Sequence, residues 1–295
     1  MNPAGPQTLS TAHAEAVLGT DHAPVARFRQ GGLDVEVSLT RESVWVVMRR
    51  GDCGGLALRM PVFSPRAECA ANDPLTIECR GSLGTARLTL RGDPFGLEQL
   101  RATLAFTPHD DLAIDWLPRD LLPFDADGSP LGTAGRIEAT QRKLNTGLLY
   151  FSLDRPAFGK VLYLQNLSAL NDYFNITGSK PENAVGGEWP ELGYRPPRNP
   201  ETERAVLPAG RQLTLYDTIV VVRGYPQTAE DDSAWQFLDM LGGIYPWLSP
   251  PEPAFRDWNE RAERTVHDLV HAPEARIEHC GHTYFHPYTA SEYPD

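Results

Sequence analysis

LDVEVSL, residues 33–39, alternates apolar and polar side chains. Successive side chains of an extended chain point to opposite faces, so this spacing gives one apolar face and one wet one. A helix would repeat its apolar residues every three or four positions instead. The stretch reads as a half-buried β-strand, and Gly31-Gly32 before it reads as the turn of a hairpin with residues 25–28.

Outward from it, residues 44–48, 56–60, 75–79, 86–91, 98–106 and 112–116 repeat the pattern, each bounded by Gly, Pro or Asp. No helical spacing intervenes, which excludes a parallel sheet built from βαβ units. Short alternating strands with frequent turn signals predict antiparallel sheets around a shared core, as a large β-sandwich or a barrel. Residues 136–140, 147–153 and 159–164 continue the series, and 213–223 are almost continuously apolar. Such a run predicts a central strand covered on both faces.

Residues 1–22 read as a loosely ordered N-terminal segment with one helical turn around 12–18, and residues 23–226 as the sandwich domain. Beyond residue 227 the period changes. Ala234, Trp235, Leu238, Leu241, Ile244 and Tyr245 fit one helix, capped by Asp231 or Asp232. Trp258, Ala262, Val266 and Leu269 fit a second, over 255–270. The region 227–295 is therefore expected to be a helical hairpin, the start of an incomplete helical domain.

The 295 residues carry 41% hydrophobic and 22% charged side chains, enough apolar material for a real core. A net charge of -12 argues against nucleic acid and anionic membranes as partners, since both select basic surfaces. Cys53, Cys69, Cys79 and Cys280 form no C-x-x-C pair, so reduced thiols are expected. No run approaches the ~20 apolar residues of a membrane span, and no basic n-region with an apolar core opens the chain. A cytoplasmic protein is the expectation.

Two stretches break the alternation. Residues 117–134, with their Pro, Asp and Gly, read as a long loop; Asp125 and Asp127 fit a turn better than a calcium site. Residues 166–197 read as a short helix over 168–174, capped by Asn166 or Ser168, then an irregular loop from 185 to 197. That loop carries Glu188, Trp189, Glu191 and Tyr194. An aromatic ring stacks on the C–H face of a pyranose, while carboxylates and amides bond its hydroxyls. Trp189, Glu188, Glu191 and Tyr194, with Asn171 and Asp172 from the short helix, are thus candidate carbohydrate contacts. The alternative is that Trp189 pins the loop to the sheets and the glutamates cap turns. His282 and His286 have i, i+4 spacing but lack the Glu of a zinc-binding helix. No nucleotide, Rossmann or hydrolase-elbow motif stands in a supporting context, so no cofactor and no metal are expected.

A long run of alternating strands, a short helix, then helices from Ala234 onward resembles one family architecture. It is similar to the galactose-mutarotase-like β-supersandwich that precedes an (α/α)6 toroid in bacterial carbohydrate-active enzymes. The resemblance implies a glycoside-hydrolase-like role in which the toroid supplies the catalytic acid and GGEWPELGY, residues 186–194, lies at the cleft rim. It assigns no catalytic residue. A full toroid has about twelve helices, so the resemblance implies a truncated chain, incompetent alone, whose helical partner comes from further sequence or another chain. Two alternatives stand beside it. One is an aldose 1-epimerase with acid and base inside the sandwich, for which His109 is one conceivable member; the other is a non-catalytic carbohydrate-binding module.

Overall fold

The computed structural model describes residues 7–10, 22–62, 67–70, 75–140, 146–197, 206–225, 230–248 and 257–285. The helical turn expected over 12–18 lies outside them. The chain divides into two compact units, Met1–Leu248 and Ser249–Asp295.

The first unit is mainly β, built on two large antiparallel sheets. One sheet has seven strands, in spatial order Val185–Glu188, Glu191–Tyr194, Leu121–Asp125, Gly54–Pro61, Ser43–Arg49, Leu33–Leu39 and Ala23–Gln30. The other has eight: Ala134–Thr140, Leu148–Arg155, Gly159–Gln165, Leu213–Arg223, Gln99–Pro108, Gly84–Gly92, Leu75–Arg80 and Ala67–Ala70. A further short strand, Gln7–Ser10, pairs in parallel with Leu112–Trp116, where the composition suggests loose order.

The period-2 signal places the core. Leu33, Val35 and Val37 enter one hydrophobic cluster together with Val46, Met48 and Leu58 of the same sheet and Leu88, Leu104, Phe151, Val161 and Val220 of the other. Asp34 and Glu36 take the opposite face: Glu36 accepts from Arg27 Nε at 2.7 Å, and Asp34 pairs with Arg29 on the outermost strand, while Ser38 is buried. Burial of each of these aliphatic side chains stabilises the fold by roughly 1.5–3 kcal/mol.

Leu213–Arg223 is the fourth strand of its eight, and both of its faces are covered. Tyr216, Val220 and Val222 point into the shared core, while Ile219 and Val221 join a second cluster on the opposite face. There the helix α2, Glu230–Ile244, buries Met240 and Ile244, with Phe237 and Leu241 packed alongside. Leu241 and Ile244 belong to the stripe expected from sequence, but the rest of that stripe, Ala234 included, is exposed. Trp235 and Tyr245 are 75% and 63% exposed, and Leu238 is 53% exposed. Two overlapping stripes fit the same 3.6-residue period, and the sheet takes the one centred on Met240. Polar bonds fix the helix end. Arg101 makes paired bonds to Asp217 at 2.7 and 2.6 Å and donates a third, from Nη1, to the Trp247 carbonyl. Asp217 is buried and also accepts from Thr103 and from the Asn166 amide.

Both irregular stretches contain strands. Leu121–Asp125 pairs with Gly54–Pro61 along its whole length but meets Glu191–Tyr194 only at Leu121. Pro123 therefore lacks an N–H on a side where none is required. Asp125 Oδ1 accepts from the Asp127 and Ser129 amides, closing the turn that follows. Residues 185–194, expected to be irregular, form a hairpin in which Gly186 faces Gly193 and Glu188 faces Glu191. Gly186, Gly187 and Gly193 have φ of 147°, 124° and 90°, so glycine is what permits the pairing and what hides it from propensity rules.

Between them, a 3-10 turn at Leu167–Leu170 leads into α1, Asn171–Thr177, ended by Gly178 in the left-handed region. The expected side-chain cap is absent, because the Asn166 amide is turned to Asp217 instead.

The second unit holds α3, Trp258–His271, and a hairpin of Arg276–His279 with His282–Phe285. Asp257 Oδ1 caps α3 by accepting from the amides of Asn259 and Glu260. No residue of α3 is buried. Trp258 and Val266, expected inside, are 79% and 59% exposed, since among the described residues of the small unit no second layer covers that stripe. His282 lies on a strand, which removes the helical i, i+4 geometry from the histidine pair; His286 lies outside the described residues. Among the described residues, no helix is long and apolar enough to cross a membrane, and Cys53, Cys79 and Cys280 are free thiols.

Candidate functional site

Trp189 and Pro190 form the two-residue turn of the 185–194 hairpin, joined by a cis peptide bond. The hairpin lies at one end of the seven-stranded sheet and carries the indole to the neighbouring sheet. A Cβ on Gly135 would stand 2.4 Å from Trp189 Cη2, so the ring fits only over a glycine. Trp189 Nε1 donates to Thr133 Oγ1 at 3.1 Å, and Phe151 meets the ring edge-on with centroids 6.2 Å apart. The ring is half-buried, anchored at one side and open at the other.

The open side faces a surface hollow of about 400 Å³ lined by Arg119, Leu122, Pro130, Leu131, Glu188, Trp189, Pro190 and Glu191. The two glutamates sit opposite each other across the turn. Like charges so placed repel, and Arg119 is the cation beside them. Its Nη1 donates to the carbonyls of Ala184 and Gly193, which fixes it beneath the hairpin. Gly187 is required there, since a Cβ would come within 2.8 Å of the Arg119 side chain. A fixed guanidinium, two carboxylates and an indole bordered by Pro and Leu suit a neutral ligand with hydroxyls and one apolar face.

Behind Arg119 lies a buried polar tie between the sheets. Asp120 Oδ2 accepts from Tyr163 Oη of the other sheet at 2.7 Å, and Oδ1 accepts from the Tyr194 amide at 2.7 Å. Tyr163 also reaches Gln165 Oε1 at 3.2 Å, which accepts from Thr218 Oγ1. Burial disfavours the charged carboxylate more than these bonds and Arg119 favour it, so Asp120 is pushed up to about 7. A protonated Asp120 remains satisfied: it donates to Tyr163 Oη, whose own proton turns to Gln165. Burial likewise holds the Tyr163 phenol well above its ordinary range.

The structure thus brings together three of the six candidate contacts, Glu188, Trp189 and Glu191. Tyr194, expected at the ligand edge, is fully buried between the sheets against Tyr216, because its place in the hairpin turns it inward. Asn171 and Asp172 are exposed at the start of α1 and do not line the hollow; Asp172 pairs with Arg211 at 3.2 Å. His109 is exposed in the turn after Gln99–Pro108. Arg119 and Asp120 escape pattern reading, although a charged pair inside LPRDLLPF, residues 117–124, is itself a signal that apolar neighbours will bury it. Among the described residues, no three His, Cys, Asp or Glu side chains are grouped to hold a metal ion. A scan against protein-family models, a search of curated proteins and a search of solved structures each returned no match.

Proposed function

We propose that this chain is the β-sandwich part of a glycoside-hydrolase-like, carbohydrate-active enzyme, with the Trp189 hairpin as its sugar-facing edge. The observation that carries the reading is the indole of Trp189 in an open hollow with Glu188, Glu191 and Arg119. Indole and prolines accept the C–H face of a sugar ring, and the charged groups bond its hydroxyls. Two sheets of seven and eight strands around one core support the supersandwich, galactose-mutarotase-like form of the fold. Catalysis in this reading waits on a helical domain from further sequence or another chain. Asp120, a buried acid of raised affinity for its proton, is committed to Tyr163 and Tyr194 rather than to the hollow.

Titration of the tryptophan fluorescence with a series of oligosaccharides tests the reading. Quenching by at least one glycan, lost in Trp189→Ala, is expected. Absence of quenching by every glycan, or quenching unchanged in the variant, sinks it. Polarimetry on glucose and galactose separates this reading from an epimerase, for which the rotation would relax faster with protein present.

A further inference from the structure

A second and larger hollow, of about 730 Å³, opens where the ends of Gln99–Pro108 and Leu213–Arg223 meet the C-terminal half of α2. Its volume falls within the range of small-molecule sites. It shares no lining residue with the Trp189 hollow.

Three features mark it as built rather than left over. The first is an orphaned acceptor. Gln99 lines the hollow and is 2% exposed, and among the described residues its Oε1 has no hydrogen-bond partner. Its orientation is fixed, because Nε2 donates to Asp93 Oδ2 at 2.7 Å and a carboxylate only accepts. A buried acceptor left without a donor is destabilising, so the site lacks an O–H or N–H that a ligand would bring.

The second feature is a gap in α2. Gly242 and Gly243 stand in the helix interior, where consecutive glycines weaken a helix. A Cβ on Gly243 would lie 2.7 Å from Gln99 Oε1, and one on Gly242 would meet nothing within 4 Å. Gly243 thus lets the helix backbone approach Gln99, and the space a side chain on Gly242 would fill borders the hollow.

The third feature is the chemistry of the walls. Phe95, 88% exposed, and Trp247 supply aromatic surface. Asp93 and Asp239 are balanced by Arg91 and Arg223, which disfavours a charged ligand. Part of this polar set is already committed: Asp93 Oδ1 accepts from the Phe95 and Leu97 amides, and Asp239 accepts from Tyr225 Oη and pairs with Arg223. The balanced charges give an ion no net sign to answer, so the fitting ligand is neutral, with a hydroxyl donor for Gln99 and an apolar face for Phe95 and Trp247.

We infer that this hollow binds a neutral saccharide, whose hydroxyl donates to Gln99 Oε1 while its ring lies against Phe95 and Trp247. The site stands on its own geometry and does not need the Trp189 hollow to bind.

Ligand-observed NMR titration of the full chain with maltose, cellobiose and N,N′-diacetylchitobiose tests the site. The native chain is expected to bind at least one of the three. Gly242→Leu places bulk in open space within the hollow and strengthens the helix; it should weaken binding about tenfold or more without lowering the Tm. Phe95→Ala, at an exposed position, should weaken binding several-fold and serves if the leucine variant does not fold. Trp189→Ala should leave this binding unchanged. Equal affinity in the native chain and both hollow variants overturns the inference, as does failure of all three sugars to bind. Loss confined to Trp189→Ala also overturns it, and leaves the proposed function of the hairpin standing.

Discussion

Helices α2 and α3 carry similar amphipathic spacing, yet they meet opposite fates within their own units. Against the eight-stranded sheet α2 buries Met240 and Ile244, whereas nothing on α3 is buried. The difference lies in what each unit offers. The outer face of Leu213–Arg223 presents Ile219 and Val221 to a helix, while the described residues of the second unit add to α3 one short hairpin and a 3-10 turn at Pro273–Ala275. A helical stripe specifies that apolar surface exists, and the surroundings decide whether it becomes core.

The comparison is broken most directly at Ile244. Ile244→Ala should cost the first unit about 2–5 kcal/mol in chemical denaturation, as expected for a cavity in a packed cluster. A loss below about 0.5 kcal/mol would mean that α2 is as loosely held as α3.

A pH series sharpens the contrast through Asp120. Its folded value of about 7 lies above the ordinary 3.8, so the folded state holds the proton more tightly than the unfolded chain. This group's contribution to stability is then fully present below about pH 4 and is lost as pH rises toward 7, by something on the order of 4 kcal/mol. Asp120→Asn keeps a donor for Tyr163 and an acceptor for the Tyr194 amide without titrating. Its unfolding free energy should gain on the parent's as pH rises across that window and exceed it at neutral pH. A difference between variant and parent that does not change with pH would show that Asp120 is ionised at no cost.

In the second unit, effects should be smaller and local. Asp257→Ala removes the cap of α3 and should cost about 1 kcal/mol of helix stability, read as lost helical circular dichroism on mild heating. Leu269→Ala should change stability by less than about 0.5 kcal/mol, because no core receives that side chain. A larger loss would reveal a covered face.

Legibility followed the same divide. Alternation in 33–39 and 86–91 placed strands and their inward faces, since a two-residue period leaves little choice of face. The apolar run at 213–223 announced a strand covered on both sides. The 185–194 hairpin stayed hidden because its pairing depends on glycines at positive φ and on close approach to Arg119, which are tertiary facts. Leu121–Asp125 was masked by Pro123, harmless only because its N–H side has no partner strand there. For the site, the local sequence was enough to mark Trp189 and the flanking glutamates. It did not reveal that Tyr194 turns inward or that Asn171 and Asp172 sit elsewhere, since both depend on how strands distant in sequence are stacked. On α2, two stripes fitted one period, and only the sheet could choose between them.

The outermost strand of the seven, Ala23–Gln30, has a further consequence. Among the described residues no strand pairs with its outer edge, and such an edge is a template for another extended chain. Pro24 takes one amide out of that edge, and Arg27 and Arg29 project from it, each paired inward to an acid on the next strand. An incoming strand must displace solvent from two guanidinium groups for few bonds gained. The same acids that mark the polar side of LDVEVSL thus hold in place a guard against edge-to-edge aggregation.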